Sequence, residues 1–295
     1  MNNPTYITIG LPFYNVENYL SGAIQSILAQ THPYWELILV DDGSTDKSLE
    51  IARSYAEKDD RIRLISDGSN KRLPARLNQI IKEAKYDYIA RMDSDDLMST
   101  DRIEKQLKTL IDNHHIDFVT TGCLTIGKNN ELTGIKTGKN YQMSAESILG
   151  GLTNLLHASL LAKKEWYYRN TYNEKNVFAE DYELWLNAAK KNDLNYIVLE
   201  EPLYWYRVIE NVTIDKLTKG YNSQIKVINN NYKGIISEKN KNKNIKKFKI
   251  KILTVKILDK LGLLNILLKR RSQKYNLEHI EYYNQEISII NNIKI

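Results

Sequence analysis

The sequence predicts an α/β fold in which a mostly parallel sheet carries helices on both faces. Short apolar runs rich in β-branched residues alternate with longer segments whose apolar residues recur at helical spacing. The first such unit has apolar runs at 6–11 and 36–40, on either side of a helical segment at 18–30. Two strands joined through a helix run parallel, because the crossover returns the chain to the same end of the sheet. The chain therefore begins with a β-α-β unit.

The same two patterns predict the later elements in turn. Ser44 is expected to cap the second helix. From 125 to 178 the pattern weakens into short polar strands and loops, and it then recovers up to about residue 211. The remaining predicted helices are 46–58, 75–84, 101–112 and 181–191, and the remaining strands are 62–65, 87–91, 117–121, 195–199 and 203–207.

Composition excludes several classes of protein. The 295 residues are 42% apolar and 26% charged, which is typical of a globular chain and excludes a disordered or collagenous one. A single cysteine excludes an internal disulfide. The first residues lack the basic and apolar regions of a signal peptide, and no apolar run is long enough to span a bilayer. A cytoplasmic protein is therefore expected.

Positive charge is concentrated near the C-terminus. Residues 240–275 carry a charge of +11, whereas the whole chain carries +6, so the rest is acidic and is not expected to bind nucleic acid. Within 245–268 the pattern predicts a cationic amphipathic helix, broken near Gly262. Such a helix either lies on an anionic membrane surface or packs on the protein with its lysines in water. Its apolar positions are Ile250, Leu253, Ile257, Leu261, Leu264 and Leu268.

Carboxylates follow two predicted strands, at the edge where ligands collect in open α/β sheets. Residues 41–44 read Asp-Asp-Gly-Ser, and residues 93–96 read Asp-Ser-Asp-Asp. Carboxylates so close together repel one another unless a cation lies among them, and oxygen ligands favour Mg²⁺ or Mn²⁺. The alternative interpretation is that both are turn and helix-cap sequences.

Five motifs appear in order between about residue 5 and residue 207: PFYNVENYL, LILVDDGSTD, LPARLNQII, YIARMDSDD and FAEDYELW. This set resembles the family 2 glycosyltransferases of the GT-A fold, which transfer a sugar from a nucleotide diphosphosugar with inversion at the anomeric carbon. The resemblance implies a Rossmann-like GT-A domain over 1–211, with a nucleotide-binding half at 1–125 and an acceptor-binding half at 126–211. Residues 212–295 then form a helical, basic appendage.

The resemblance also implies which residues bind the nucleotide-sugar. Asp42 is expected to accept a hydrogen bond from the base, with a turn role as its alternative. Arg76 is expected near the base and diphosphate, with a solvated helix position as its alternative. Asp93 is expected to lie near the ribose. Asp95, together with Asp93, is expected to bind a Mn²⁺ or Mg²⁺ ion that stabilises the leaving diphosphate. The other residues assigned to the nucleotide-sugar are Pro12, Phe13, Tyr14, Asn15, Glu17 and Ser94.

Further residues are assigned to the acceptor side by the same resemblance. Asp181 is expected to be the base that removes the proton of the acceptor hydroxyl, and Glu180 to orient the acceptor or to exchange roles with it. Helix capping alone is the alternative for this pair. His157, Asp96 and Trp185 are further candidates for acceptor or phosphate contacts, with a structural role for His157 and a core position for Trp185 as alternatives.

These expectations give one hypothesis and two alternatives. The hypothesis is an inverting enzyme that transfers a hexose or N-acetylhexosamine from a UDP-sugar to a glycan acceptor linked to polyprenyl diphosphate. Capsule, O-antigen and lipooligosaccharide synthesis at the inner face of the cytoplasmic membrane are the expected pathways. A nucleotidyltransferase is one alternative, although PFYNVEN lacks the glycines of a phosphate loop. A non-catalytic protein that binds sugar-nucleotides or membranes is the other.

Overall fold

Within residues 4–208, 213–263 and 273–294, which the computed structural model describes, the chain forms one nine-stranded sheet with helices on both faces. The strands are β1 (Ile7–Phe13), β2 (Trp35–Asp41), β3 (Ile62–Ser66), β4 (Tyr88–Arg91), β5 (Leu97–Met98), β6 (Phe118–Ile126), β7 (Leu132–Lys136), β8 (Leu161–Lys163) and β9 (Tyr196–Arg207). The helices are α1 (Leu20–Leu28), α2 (Ser48–Ala56), α3 (Leu73–Glu83), α4 (Arg102–Asp112), α5 (Ala145–Leu149), α6 (Lys164–Arg169), α7 (Glu180–Lys190), α8 (Ile214–Asn231), α9 (Glu238–Lys260) and α10 (Leu277–Asn291), and a 3₁₀ turn spans His157–Ser159.

The sheet has a parallel half and a mixed half. Its order is β3-β2-β1-β4-β8-β6-β9-β5, with β7 added on β6. β3, β2, β1 and β4 are all parallel, as the β-α-β pattern predicts. In the other half β6 and β9 pair in parallel, while β8, β5 and β7 run antiparallel to their neighbours. The predicted α/β class is confirmed, and the parallel pairing lies mainly in its first half.

Both faces of the parallel half are buried, because alternate residues of each strand enter two separate cores. On β2, Ile38 and Val40 join the core on the face of α3, whereas Leu37 and Leu39 join the core on the face of α1. Every residue of β1 and β2 is buried, which is why these strands read as continuous apolar runs. The core on the α3 face also holds a group of packed aromatic rings: Phe118, Trp166, Trp185 and Tyr196.

Two local predictions are wrong. Ser44 does not cap α2, whose N-cap is Lys47; its Oγ instead accepts a hydrogen bond from the Asn15 amide at 3.2 Å. The strands predicted at 195–199 and 203–207 are parts of one strand, β9, whose pairing with β6 changes register between Thr121 and Cys123. Pro202 lies in the interrupted stretch and has no N–H to give to the ladder, which explains why the sequence reads as two strands.

The basic C-terminal region includes helices that contact the rest of the chain. α9 is anchored by Phe248 and Val255, which are each 1% exposed. The ring of Phe248 lies over Gly151, whose φ is +80°, and a Cβ added at Gly151 would lie 2.8 Å from Phe248 Cζ. α9 ends at Lys260, so the predicted break near Gly262 is confirmed. No helix among the described residues is long and apolar enough to cross a membrane.

Candidate active site

The carboxyl ends of β1, β2 and β4 meet at one edge of the sheet. Phe13 of β1 is in register with Asp41 of β2, and Gly10 of β1 with Arg91 of β4. The loops that follow these three strands therefore lie side by side, where ligands bind in open α/β sheets. The structure thus brings together the residues of three motifs that sequence reasoning assigned to the nucleotide-sugar.

The loop after β1 is tied to the loop after β2 by its own side chains. Asn15 Oδ1 accepts a hydrogen bond from the Thr45 amide at 2.7 Å, and Glu17 Oε2 accepts one from the Lys47 amide at 2.9 Å. Asn15 has a φ of +48°, a left-handed conformation that asparagine tolerates better than most residues. Asn15 and Glu17 therefore fix the shape of this edge.

The aromatic part of the first motif divides between core and surface. Pro12 and Phe13 are buried, and Phe13 belongs to the core on the α1 face. Tyr14 is 47% exposed and presents its ring at the edge of the sheet. Of these three residues, Tyr14 is the one with a free ring surface for a ligand.

Arg76 and Asp42 form a buried ion pair at the same edge. Arg76 is 0% exposed, and its Nε donates to Asp42 Oδ1 at 2.9 Å while its Nη2 donates to Asp67 Oδ1 at 2.7 Å. Asp42 also accepts hydrogen bonds from the amides of Lys71, at 2.7 Å, and Arg72, at 3.1 Å. The Arg76 guanidinium and the Lys71 ammonium hold the pKa of Asp67 well below its ordinary value. The solvated-helix alternative for Arg76 is therefore excluded.

The loop after β4 is supported by β9. Tyr204 Oη donates to Asp96 Oδ2 at 2.8 Å and accepts from the Asp93 amide at 3.1 Å. The Arg207 amide donates to Asp96 Oδ1 at 2.6 Å, and Arg207 Nε donates to the carbonyl oxygen of Asp95 at 2.6 Å. Asp96 is 1% exposed, so its carboxylate anchors the loop. No described side chain donates a hydrogen bond to the carboxylate of Asp95, which is half-buried.

α10 extends this support from the far end of the chain. Arg207 Nη2 donates to Asn130 Oδ1 at 2.6 Å, and Tyr283 Oη donates to the carbonyl oxygen of Asn130 at 2.5 Å. Glu286 accepts hydrogen bonds from the amide of Thr100, at 2.6 Å, and from its hydroxyl, at 3.1 Å. Helix α10 thus bonds directly to Thr100, and through Asn130 and Arg207 it also supports Asp95 and Asp96.

Negative charge is crowded in this loop. Burial and the neighbouring Asp93 raise the pKa of Asp95 to about 6, and burial with both of these acids raises the pKa of Asp96 well above its ordinary value. The carboxylate oxygens of Asp95, which accept no hydrogen bond from a described side chain, fit Mg²⁺ or Mn²⁺. Among the described residues, no three acidic, histidine or cysteine side chains converge on one point. The donor set therefore fits an ion that takes most of its ligands from phosphate and water.

A second acidic pair opens α7. The N-cap is Ala179, so Glu180 and Asp181 both lie in the first turn, where the helix dipole favours negative charge. Burial and the neighbouring Asp181 raise the pKa of Glu180 to about 7, and burial raises the pKa of Asp181. Asp181 Oδ1 accepts a hydrogen bond from the Tyr182 amide at 2.7 Å. Both carboxyl groups therefore hold protons more tightly than exposed ones.

Arg91 connects the two acidic groups. It is 5% exposed, and its Nη2 donates to Asp93 Oδ1 at 2.5 Å. Its charge also lowers the pKa of Glu180 and of Asp181, against the effect of burial, and Asp93 acts on Glu180 in the opposite direction. Arg91 Nε is buried without a hydrogen-bond partner among the described residues. Sequence reasoning missed Arg91, although it lies two positions before Asp93 in the motif YIARMDSDD.

His157 and Trp185 lie in the core beside these acids. His157 Nε2 is hydrogen-bonded to Tyr172 Oη at 2.7 Å, and burial with the charge of Arg91 holds the pKa of His157 well below its ordinary value. Trp185 is 2% exposed and stacks on Phe118 with ring centroids 5.4 Å apart. This placement supports the core interpretation of Trp185, and it makes His157 a neutral partner of Tyr172.

A cavity of about 390 Å³ lies beside the middle of β6 and the end of β7. Its volume is in the range of small-molecule sites. Leu156, in its wall, directly precedes His157. The other lining residues are Thr121, Gly122, Cys123, Lys136, Thr137, Gly138, Lys139, Tyr141, Thr153, Asn154 and Leu155.

The sheet and its flanking helices define a GT-A-like fold, and the class of protein is a glycosyltransferase. Residues 8–167 match the model of Glycosyl transferase family 2, and the chain belongs to this family. It is 36% identical over 214 residues to EpsE of Bacillus subtilis (strain 168), which is described as a glycosyltransferase; the match covers 70% of this chain and 74% of EpsE. It is 31% identical over 196 residues to WfgD of Escherichia coli, named a UDP-Glc:alpha-D-GlcNAc-diphosphoundecaprenol beta-1,3-glucosyltransferase, covering 65% of this chain and 72% of WfgD.

Solved structures share the fold. TarS 1-349 of S. aureus in complex with UDP-GlcNAc matches with a TM-score of 0.62 at 19% identity, over 83% of this chain and 71% of that one. The mannosyltransferase PcManGT from Pyrobaculum calidifontis, in complex with GDP-Man and Mn²⁺, matches with a TM-score of 0.61 at 16% identity, over 98% of this chain and 85% of that one.

Proposed function

We propose that the protein transfers a hexose or N-acetylhexosamine from a UDP-sugar to a glycan acceptor, with inversion, in polysaccharide synthesis. The observation that carries this proposal is that one buried guanidinium, that of Arg91, binds Asp93 and also acts electrostatically on Glu180 and Asp181 at the start of α7. A single displacement needs a stabilised leaving group and a proton acceptor, and these two acidic groups supply one each.

The donor is proposed to bind along the loops after β1, β2 and β4. The exposed ring of Tyr14 suits stacking on a flat base. Asp42 Oδ1 accepts three hydrogen bonds, whereas Oδ2 accepts one, from the Arg72 amide. The Oδ2 atom therefore keeps a lone pair that can accept a hydrogen bond from the N–H of a uracil. Asp93 and Ser94 are proposed at the ribose. The complex of TarS with UDP-GlcNAc supports a uridine nucleotide as the donor's carrier.

Asp93 and Asp95 are proposed to hold Mn²⁺ or Mg²⁺. The carboxylate of Asp95 has no side-chain donor among the described residues, and its raised pKa is what a nearby cation would lower. When bound, the ion supplies Lewis-acid stabilisation of the departing nucleoside diphosphate. The Mn²⁺ complex of PcManGT supports this assignment.

Asp181 is proposed as the base, with Glu180 beside it to orient the acceptor. The acceptor oxygen attacks the anomeric carbon, the bond from that carbon to the diphosphate breaks, and the hydroxyl proton passes to Asp181. A carboxyl pKa raised by burial makes a stronger base, while the helix dipole and Arg91 favour its ionised form. Arg91 is proposed as a positioning residue that holds Asp93 and the α7 acids in one arrangement.

The acceptor is proposed to be a lipid-linked glycan at the inner face of the cytoplasmic membrane. The name of WfgD, which acts on a sugar linked to diphosphoundecaprenol, supports this class. The cavity of about 390 Å³ beside the middle of β6 has the size to receive part of a sugar acceptor. Capsule, O-antigen and lipooligosaccharide synthesis are the pathways in which such acceptors are extended.

Two substitutions test this assignment. Asp181→Asn removes the base and Asp95→Asn removes a cation ligand, and each is expected to lower acceptor-dependent UDP release by at least about a hundredfold. Asp95→Asn is also expected to abolish the part of the thermal stabilisation by UDP that requires Mn²⁺. The matched control is Asp60→Asn, an exposed carboxylate away from this edge. Turnover at the control rate in both site variants would contradict the proposal.

A further inference from the structure

α9 carries apolar residues on two opposite sides. Phe248 and Val255 face the core, whereas Ile250, Leu253, Ile257 and Leu261 are 54%, 58%, 50% and 61% exposed. With about 100° of rotation per residue, these four side chains fall in one stripe of roughly 80°, on the side away from the two buried ones. We call these four side chains the outer stripe. The sequence left open whether this helix packs on the protein or meets a membrane, and the structure gives it a face for each.

Unpaired lysines border the outer stripe. Lys246, Lys249, Lys256 and Lys260 are all exposed, and none of them forms an ion pair with a described residue. Asp259, the single acid between 239 and 263, projects from the other side of the helix. The outer stripe is therefore an apolar surface with a positive border. Leu264 and Leu268, which the sequence pattern added to this stripe, lie outside the described residues.

We propose that the outer stripe docks on a bilayer that contains anionic phospholipid, with α9 parallel to the membrane plane. The four apolar side chains leave water for the boundary between headgroups and acyl chains, and the lysines meet the headgroup phosphates. A second copy of the chain is a poorer occupant, because two such stripes would bring their lysine borders together. The inference deepens the proposed function, since it holds the enzyme beside a lipid-linked acceptor, but docking itself needs no turnover.

Vesicle flotation of the full chain, without nucleotide, tests the docking. The protein is expected to float with vesicles of phosphatidylcholine and phosphatidylglycerol and to stay in solution with phosphatidylcholine alone. L253Q/I257Q is expected to weaken binding on the order of tenfold, and K249Q/K256Q about fivefold for each lysine removed. The matched control is I289Q, because Ile289 on α10 is 49% exposed and lies outside the stripe.

Each outcome decides the proposal. The proposal is supported if I289Q binds vesicles as the wild type does and the two stripe variants bind more weakly. All three variants must also unfold at the same temperature as the wild type. Failure of the wild type to bind anionic vesicles overturns it, as does an equal loss in I289Q. A dimer in sedimentation velocity that L253Q/I257Q converts to a monomer assigns the stripe to a second copy instead. Asp181→Asn is expected to bind vesicles normally, so failure of docking and failure of the proposed chemistry are distinguishable.

Discussion

Replacing Arg91 by methionine removes a buried positive charge while keeping most of the side-chain volume. The 2.5 Å bond from Nη2 to Asp93 is lost, and the side chain of Asp93 is 26% exposed. Breaking a fully buried ion pair costs about 3–5 kcal/mol, and the partial exposure of Asp93 puts the expected loss of stability near about 3 kcal/mol. For a domain of this size, that is a fall in Tm of roughly 6–12 °C.

The same substitution is expected to move the pH profile. The charge of Arg91 lowers the pKa of Glu180 and of Asp181, so its removal raises both. A carboxylate base acts only when ionised, so kcat/KM rises with pH through this pKa, and the rising limb is expected to shift to higher pH. UDP release measured across pH checks this, with Arg91→Lys as the variant that keeps the charge. A folded Arg91→Met enzyme whose profile coincides with that of the wild type would refute the reasoning.

Three further substitutions probe other parts of the structure. The pKa of Glu180 is raised from 4.5 to about 7, so the stability that Glu180 contributes is present below pH 4.5 and is lost as the pH rises through 7. In urea unfolding, Glu180→Gln is therefore expected to be more stable than the wild type by about 1–3 kcal/mol above pH 7 and equally stable below pH 4.5. The same difference in stability at the two pH values would contradict this. Gly151→Ala places a Cβ 2.8 Å from a ring carbon of Phe248 on α9 and is expected to lower the free energy of unfolding by about 2–4 kcal/mol. The control Gly68→Ala, at a similar φ of +69° but with open space around the Cβ, is expected to lower it by about 1 kcal/mol. Equal losses in the two variants would show that Phe248 does not pack against Gly151. Tyr204→Phe removes two hydrogen bonds from the loop after β4 and is expected in calorimetry to cost about 2–4 kcal/mol and to weaken Mn²⁺-dependent UDP binding. Tyr168→Phe, at a position 61% exposed on α6, is the control and is expected to change neither.

The parallel half of the sheet and its acidic edge were accessible from sequence because both depend on local patterns. The continuous apolar runs of β1 and β2 follow from burial on two faces. The acids after β4 are marked by their position at the end of a strand, and the register of neighbouring strands brings them to the same edge. Local periodicity and strand-end composition were sufficient for this part of the molecule.

The remainder depends on partners far apart in the chain. Tyr204 and Asp96 are 108 positions apart, and nothing around either residue marks the hydrogen bond between them. With half-buried Ile245 and Ile252 counted beside Phe248 and Val255, both sides of α9 show apolar residues at three- and four-residue steps, so periodicity cannot tell which one is buried. That choice depends on the fit of Phe248 against Gly151, which is a property of the assembled fold.

The links from α10 to the loop after β4 have a consequence for synthesis on the ribosome. Tyr283 reaches Asn130 across 153 positions, and Glu286 reaches Thr100 across 186. The β-α-β units that contain β1, β2 and β3 pair strands that are close in sequence, so they can form as the chain emerges from the ribosome. Contacts between residues far apart in sequence form late. A nascent chain therefore has the residues proposed to hold the base well before its aspartate loop receives this support, so the proposed metal-dependent binding of the donor is expected to be acquired later than the contacts to the base.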